Sequence, residues 1–426
     1  MLSRRNFVSK LGVLPLLPLA DLSAASALTG TKSPFAGPVI KSITLLKATG
    51  NFSRFIAMNS YDVAPKGVKG VNALVKMTFS DGSESVGPMG YSKATDEVLA
   101  KIKLLIGKDP FSFYTWKGDT ISGVVPAMHE YFFDHRYAWV ESAILDGIGK
   151  QKNMPVWKLM GEAVRDGIDP YDGTVYFEDI ANKRDVSIIA ETGKMIKEQG
   201  YRAIKIKLGR PSKWLLGEAG VNRDIEAFIA LREAVGNNFT LIADANNGYK
   251  DHFDWGVKLL KNIIPYDLHF MEEIFPETKE LYTKLRETLM KDNLFVKIGE
   301  GENIRDLKEF DSYLEAGVYN FIQPDMPTCG MSNILRTAKK TANYPQAKLI
   351  PHVWQNQFGM IMSLHASKVQ WNIPFVEDSR YFEHALNTSG YLFKEGQWFI
   401  PNKPGWGVIL SPDYSQYLTE KEIVIS

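Results

Sequence analysis

Over residues 201 to 210, YRAIKIKLGR, apolar and polar positions alternate. Ile204, Ile206 and Leu208 fall on one face of an extended chain, and Ala203, Lys205 and Lys207 on the other, because successive strand side chains point to opposite sides. From about residue 170 such short apolar runs recur: YDGTVYF, RAIKIKL, FTLIADA, DLHFMEEI, LFVKIGE, YNFIQPD, AKLIPHV and NIPFVED. These eight runs stand roughly 25 to 40 residues apart, room enough for a crossover helix in each gap. That rhythm predicts an α/β fold with a closed (β/α) barrel rather than an open sheet. Ahead of it, VIKSITLLKA and GVNALVKMTF have strand composition, with SDGS (Ser80 to Ser83) as the turn that follows. Residues 95 to 150 read as helical, and AWVESAILDGIGKQ sets Val140, Ala143, Ile144 and Ile148 at helical spacing.

Composition narrows the class. The chain has 426 residues, 45% of them hydrophobic, and a net charge of +1. This is an ordinary globular balance, with no basic bias toward nucleic acid. Cys329 is the only cysteine, which excludes an intramolecular disulfide and a CxxC metal or redox site. The chain holds no GxGxxG and no Walker A motif for a nucleotide-binding sheet. The N-terminus has another character. SRRNFVSK is followed by the apolar run LGVLPLLPLA and then by Ala25, Ser26 and Ala27, the order of a twin-arginine export signal. Pro15 and Pro18 interrupt an apolar run already too short to span a bilayer. Residues 1–27 are therefore expected to be removed, which takes the net charge from +1 to −1. A mature periplasmic protein without a membrane span is the expectation.

The chemistry lies at the C-terminal ends of the runs. In order, these ends carry Lys205 and Lys207; Asp244 and Asn246; Glu272 and Glu273; Glu300 and Glu302; Asp325; His352; and Glu377. That end of a barrel is where active sites are built. Alone, a KxK strand suits a solvated edge, a His after Pro suits packing, and Asp-Ala-Asn suits a helix cap. Their order on successive strands is what argues for a site. Three carboxylates brought together would repel one another, and an all-oxygen set without Cys or His favours Mg²⁺ over zinc. On this reading the lysines face a polar barrel mouth and the isoleucines pack under the outer helices.

With these residues the chain resembles the enolase superfamily, in its mandelate racemase subgroup. KIKLG resembles the family's KxK motif, DANNGY its D-x-N stretch, MEEIFPE its E-E-P motif with an insertion, and GEN its third ligand motif. QPD and PH resemble its Asp-His pair, and PNKPGWGVIL its closing segment. The resemblance covers essentially the whole mature chain. It implies a modified TIM barrel, (β/α)7β, over residues 168–378. An α+β capping domain over 38–150 would be completed by a C-terminal segment, 379–426.

The resemblance also implies roles. Lys207 would be a base. Lys205 would lower the pKa of Lys207 and neutralise the substrate carboxylate. Asp244, Glu272 and Glu302 would bind Mg²⁺. His352, oriented by Asp325, would be acid or base on the opposite face. Glu377 would hydrogen-bond the developing enolate, and Asn246 would contact substrate. Glu300 competes with Glu302 as third ligand, and EEIFPE lacks the family's immediate proline. The implied reaction is abstraction of the proton α to the carboxylate of a small sugar acid. Dehydration to a 2-keto-3-deoxy acid leads. Racemisation, epimerisation or cycloisomerisation is the alternative, and a non-catalytic sugar-acid binder is a third reading. Members of the family are often dimers or octamers, so a homo-oligomer is an expectation of the resemblance.

Overall fold

The computed structural model describes residues 33–91 and 93–426, so the expected export signal lies outside the described residues. Eight parallel strands form one sheet: Asp169–Val175, Ala203–Lys207, Thr240–Asp244, Leu268–Glu272, Ile298–Glu300, Phe321–Ile322, Lys348–Leu349 and Phe375–Asp378. They coincide with the eight apolar runs. The first seven each pair with their neighbour in sequence, and the eighth pairs with the first. Between the seventh and eighth, the Leu349 N–H donates to the Asn372 carbonyl. Crossover helices occupy the gaps: Ser187–Glu198, Glu218–Val235, Phe253–Ile263, Lys279–Met290, Phe310–Ala316, Met331–Thr341 and Gln357–Val369. The fold is a TIM-barrel-like α/β fold of the (β/α)7β kind.

Alternation decides what faces where. Ile204, Ile206 and Leu208 are fully buried in the large core shared with the outer helices. Ala203 belongs to a separate inner cluster with Tyr171, Ile242, Phe270, Phe321 and Ile350. Lys205 and Lys207 lie on the same side of their strand as Ala203, so they stack above an apolar floor. Strand register keeps that layer together, pairing Lys207 with Asp244, Asp244 with Glu272, and Glu272 with Gly299.

The cap is built on an antiparallel sheet of Ile40–Ile56, Gly67–Phe79 and Glu84–Pro88. The expected turn at Ser80 to Ser83 is present, with Gly82 at a φ of +84° that favours glycine. Two strands from the end of the chain, Tyr381–Glu383 and Ile423–Ile425, add to the first strand of this sheet. The helix Val140–Gln151 is buried along most of its length. Gly149 lets the returning chain approach it, since a Cβ there would stand 2.7 Å from the Gly405 Cα. Trp406, fully buried, then donates its indole N–H to the Ser142 carbonyl at 2.8 Å.

One expectation fails locally. Residues 95 to 150 are not helical throughout, because a hairpin of Tyr114–Lys117 and Thr120–Val124 interrupts them. Aromatic and β-branched residues suit its strands, and Gly118 at φ +59° makes the turn.

Candidate active site

At the barrel mouth two ammonium groups sit among carboxylates. Lys205 Nζ lies 2.9 Å from Glu272, 2.7 Å from Glu377 and 3.5 Å from Asp244. Lys207 donates to Asp244. Burial and Lys205 both work against charge on Lys207, but the Asp244 carboxylate outweighs them and holds this ammonium above its ordinary pKa. The lowering expected of Lys205 is thus present but overcome, because Asp244 is in direct contact. One lysine shared among three carboxylates cannot satisfy all of them. Burial pushes Glu272 up to about 8 in spite of Lys205. Burial works the same way on Glu377, yet Lys205 and His352 hold it below the usual range.

Opposite in sequence, the seventh strand leads to His352. Its Nδ1 is 2.9 Å from Asp325, and its Nε2 is 3.2 Å from Glu302. Asp325 is fixed in turn, capping the short helix that follows by accepting the Thr328 N–H. Burial disfavours an imidazolium here, but Glu302 and Asp325 outweigh it and lift His352 to about 10. Glu377 accepts the Val353 N–H at 3.1 Å, which ties the seventh strand end to the eighth.

Alternation separates the two candidates for the third ligand position. Gly299, in register with Glu272, takes the inward position, so Glu300 turns outward and accepts the Tyr282 hydroxyl from the helix Lys279–Met290. Gly301, at φ +115°, breaks the alternation, and Glu302 returns to the mouth. Asp244, Glu272 and Glu302 nonetheless do not converge. Each is taken up by a lysine or by His352. Among the described residues, the trio of carboxylates whose oxygens all lie within 4.8 Å of one another is Glu273, Glu277 and Glu300. Burial, with Glu302 and Asp244 nearby, drives Glu273 well above the usual range. Crowded, buried acids with only two lysines between them are the donor set a hard divalent cation relieves.

A cavity of about 170 Å³ opens over this layer, lined by Lys207, Asn246, Glu302, His352 and Glu377 from the barrel. Asn246 has left-handed backbone, which Asn tolerates, and its side chain donates to Glu273 and accepts from Asn59. Lys205 lies beneath, 1% exposed, and is not among the lining residues.

The other walls come from residues that sequence reasoning left unassigned. Tyr176 and Trp354 follow barrel strands, and Asn59, Tyr61, Lys66 and Tyr91 come from the cap. The cap segment 57–66 is seated firmly. Ser60 Oγ donates to the Ala245 carbonyl at 2.8 Å, and Trp214 donates to the Asn59 carbonyl at 2.9 Å. Gln323, in the QPD stretch, was also missed; it donates to Glu272 at 2.8 Å. The resemblance implies a substrate cap formed by loops at roughly 49–70 and 88–95, and all four cap residues fall within them, but the letters do not reveal which side chains face the cavity.

The fold and this ring of strand-end acids and bases define a class. The model of the family described as Enolase C-terminal domain-like matches residues 187–414, more than half of the chain. The protein belongs to that family, within the enolase superfamily, whose members include lyases and isomerases. It is 27% identical over 272 residues to 3,6-anhydro-alpha-L-galactonate cycloisomerase of Streptomyces coelicolor, covering 64% of this chain and 68% of that one. It is 27% identical over 278 residues to arabinonate dehydratase of Saccharolobus solfataricus, covering 63% of this chain and 68% of that one. Among solved structures, a variant of galacturonate dehydratase from Geobacillus sp. complexed with Mg superposes with a TM-score of 0.77 at 23% identity, covering 93% of this chain and 99% of that one.

Proposed function

We propose that this protein is a Mg²⁺-dependent sugar-acid dehydratase that removes the proton α to a carboxylate and expels a β-hydroxyl. The observation that carries the reading is that Lys207 and His352 reach one cavity from the second and seventh strands. Both are held by carboxylates. Asp244, Glu272 and Glu302 would hold Mg²⁺, which when bound neutralises these acids and stabilises charge on the substrate carboxylate.

The remaining work falls to the chain. With Asp244, Glu272 and Glu302 all engaged elsewhere, Lys207 is left with burial and Lys205, both of which favour the neutral amine that a base must be. Lys207 takes the α-proton, and Lys205 supplies positive charge where the carboxylate gains electron density. His352, kept protonated by Asp325 on Nδ1 and by nearby Glu377, donates its proton to the departing β-hydroxyl. The C–H and C–O bonds break, water leaves, and the enol tautomerises to a 2-keto-3-deoxy acid. Opening of an anhydro ring would use the same groups, with the ring oxygen as leaving group, and the resemblance to a cycloisomerase favours that as the second reading. The twin-arginine pattern of residues 1–27 supports a periplasmic location, checked by fractionating cells and sequencing the mature N-terminus.

The test is incubation of mature protein and Mg²⁺ in D₂O with aldonates, uronates and anhydro-sugar acids, followed by proton NMR. A 2-keto-3-deoxy product is expected, with its rate reduced about 10²-fold or more in Lys207→Ala and His352→Ala. Exchange of the α-proton without net product would replace dehydration by racemisation or epimerisation. Absence of exchange on every acid would refute the catalytic reading in favour of a binder.

A further inference from the structure

The cap contributes a cation to the cavity, and its setting points to the far end of the substrate. Lys66 lines the same space as Lys207, His352 and Glu377. Its Nζ is 2.7 Å from Asp62, and the two side chains are 22% and 16% exposed. It also stands 5.5 Å from the centre of the Trp354 ring.

This pair is held in place. The Lys66 N–H donates to the Ala57 carbonyl at 3.3 Å, closing the segment into a compact loop. Asp62 accepts the Asn59 N–H at 2.9 Å, and Lys213 donates to the Tyr61 and Asp62 carbonyls at 3.1 and 2.9 Å. Asp62 therefore cannot swing away freely when a ligand approaches Lys66.

We propose that Lys66, on the cavity wall with Asp62 behind it as its counter-charge, reads the end of the substrate remote from its carboxylate, and that the pair selects a neutral, hydroxylated end. The substrates would be sugar acids with a single carboxylate, such as aldonates, uronates or their anhydro forms, and not aldarates, which carry a second. A hydroxyl accepts a hydrogen bond from the Lys66 ammonium without bringing a charge that the Lys66–Asp62 pair would have to balance. A second substrate carboxylate would find Lys66 already neutralised and Asp62 beside it, a like-charge contact that discriminates strongly. Trp354 and Tyr176 offer apolar faces to the sugar's C–H groups. The cavity of about 170 Å³ is small for a ligand site, which suits one sugar unit rather than a chain. The inference rests on the sugar-acid reading given under Proposed function.

Matched pairs decide it: galactonate with galactarate, gluconate with glucarate, and mannonate with mannarate. Each is titrated by calorimetry into the mature protein with Mg²⁺, and α-proton exchange in D₂O is followed in parallel. In the pair that binds best, the aldonate is expected to bind at least about tenfold more tightly than the aldarate. Asp62→Asn, which keeps an acceptor for the Asn59 N–H, should shrink that ratio about tenfold by relieving the aldarate. Lys66→Met should weaken the aldonate without improving the aldarate, and it keeps the test open should Asp62→Asn fail to fold. An aldarate that binds as well as its aldonate, or a ratio unmoved in both variants, overturns the inference. If exchange still occurs, the dehydratase reading survives that result. Binding without exchange refutes the catalytic reading and leaves the ratio to judge the inference. Neither binding nor exchange with any acid overturns both.

Discussion

At the scale of single residues, the site is a contest for charge. Lys205 serves three carboxylates at once, and the fully buried Glu272 still rises to about 8. Removing that lysine leaves buried acids without a partner, a change that costs about 3–5 kcal/mol. Lys205→Met is therefore expected to unfold at a markedly lower temperature than the wild type, and Mg²⁺ should recover part of the loss by binding the freed acids. A calorimetric scan with Mg²⁺ and with EDTA checks both halves. A variant as stable as the wild type in EDTA would contradict the first. The choice between Glu300 and Glu302 belongs at this scale too. Glu302 borders the cavity, whereas Glu300 is spent on Tyr282. Glu302→Gln should weaken Mg²⁺ binding by at least about tenfold, since it removes a charged ligand while keeping the shape. Equal Mg²⁺ affinity in a direct titration would move the ligand role to another carboxylate.

At the scale of elements, the barrel strands were legible because each is a short apolar run with the same polar punctuation. Strand alternation alone put Lys205 and Lys207 inside and Ile204 and Ile206 outside. Between Glu300 and Glu302 that rule helped only once Gly301 was known to break it, a backbone fact the letters GEGEN do not carry. The hairpin at 114–124 was hidden because aromatic residues also suit buried helices. The loop that carries Asn59, Tyr61 and Lys66 was expected at the substrate cap, but these particular residues were illegible for another reason. Their role depends on contacts across more than a hundred positions of sequence, such as Asn59 with Asn246.

Element packing also leaves titratable signatures. Glu383, on a strand added to the cap sheet, accepts the Asn72 side chain and the Phe358 N–H, and burial pushes it up to about 7. Its folded pKa lies above the unfolded value, so its stabilising contribution is complete below about 4.5 and fades as pH rises through about 7. Stability of the wild type relative to Glu383→Gln should thus decline by a few kcal/mol between those limits, at roughly 1.4 kcal/mol for each pH unit crossed. Urea unfolding of both proteins at several pH values reads this difference directly. A flat difference would mean that Glu383 is ionised in the folded protein.

At the scale of the whole molecule, the cavity exists only where cap and barrel meet. Lys207, His352 and Glu377 come from the barrel, whereas Asn59, Tyr61 and Lys66 come from the cap. The cap in turn depends on the far end of the chain. Ile423–Ile425 pairs with Ile43 to Leu45, and Trp406 is wedged against the helix Val140–Gln151. The Trp406 backbone N–H donates to the buried Asp146, which accepts the Val86 backbone N–H as well, so one carboxylate joins three distant stretches of chain. Trp406→Ala deletes a fully buried indole and leaves a cavity, a change that typically costs about 3–5 kcal/mol. Its effect on catalysis should be uneven. The strand ends that hold Lys207 and His352 are fixed by the barrel, whereas the loop at 57–66 both rests on the barrel through Ser60 and Asn59 and hangs from the two cap strands that flank it. Trp406→Ala is therefore expected to raise KM severalfold while kcat changes little, because substrate placement suffers more than the proton-transfer groups. Steady-state kinetics on the best acid, run well below the variant's melting temperature, separate the two constants. A fall in kcat at constant KM would mean that the cap helps to arrange the barrel's own acids and bases, so that the two parts act as one catalytic unit.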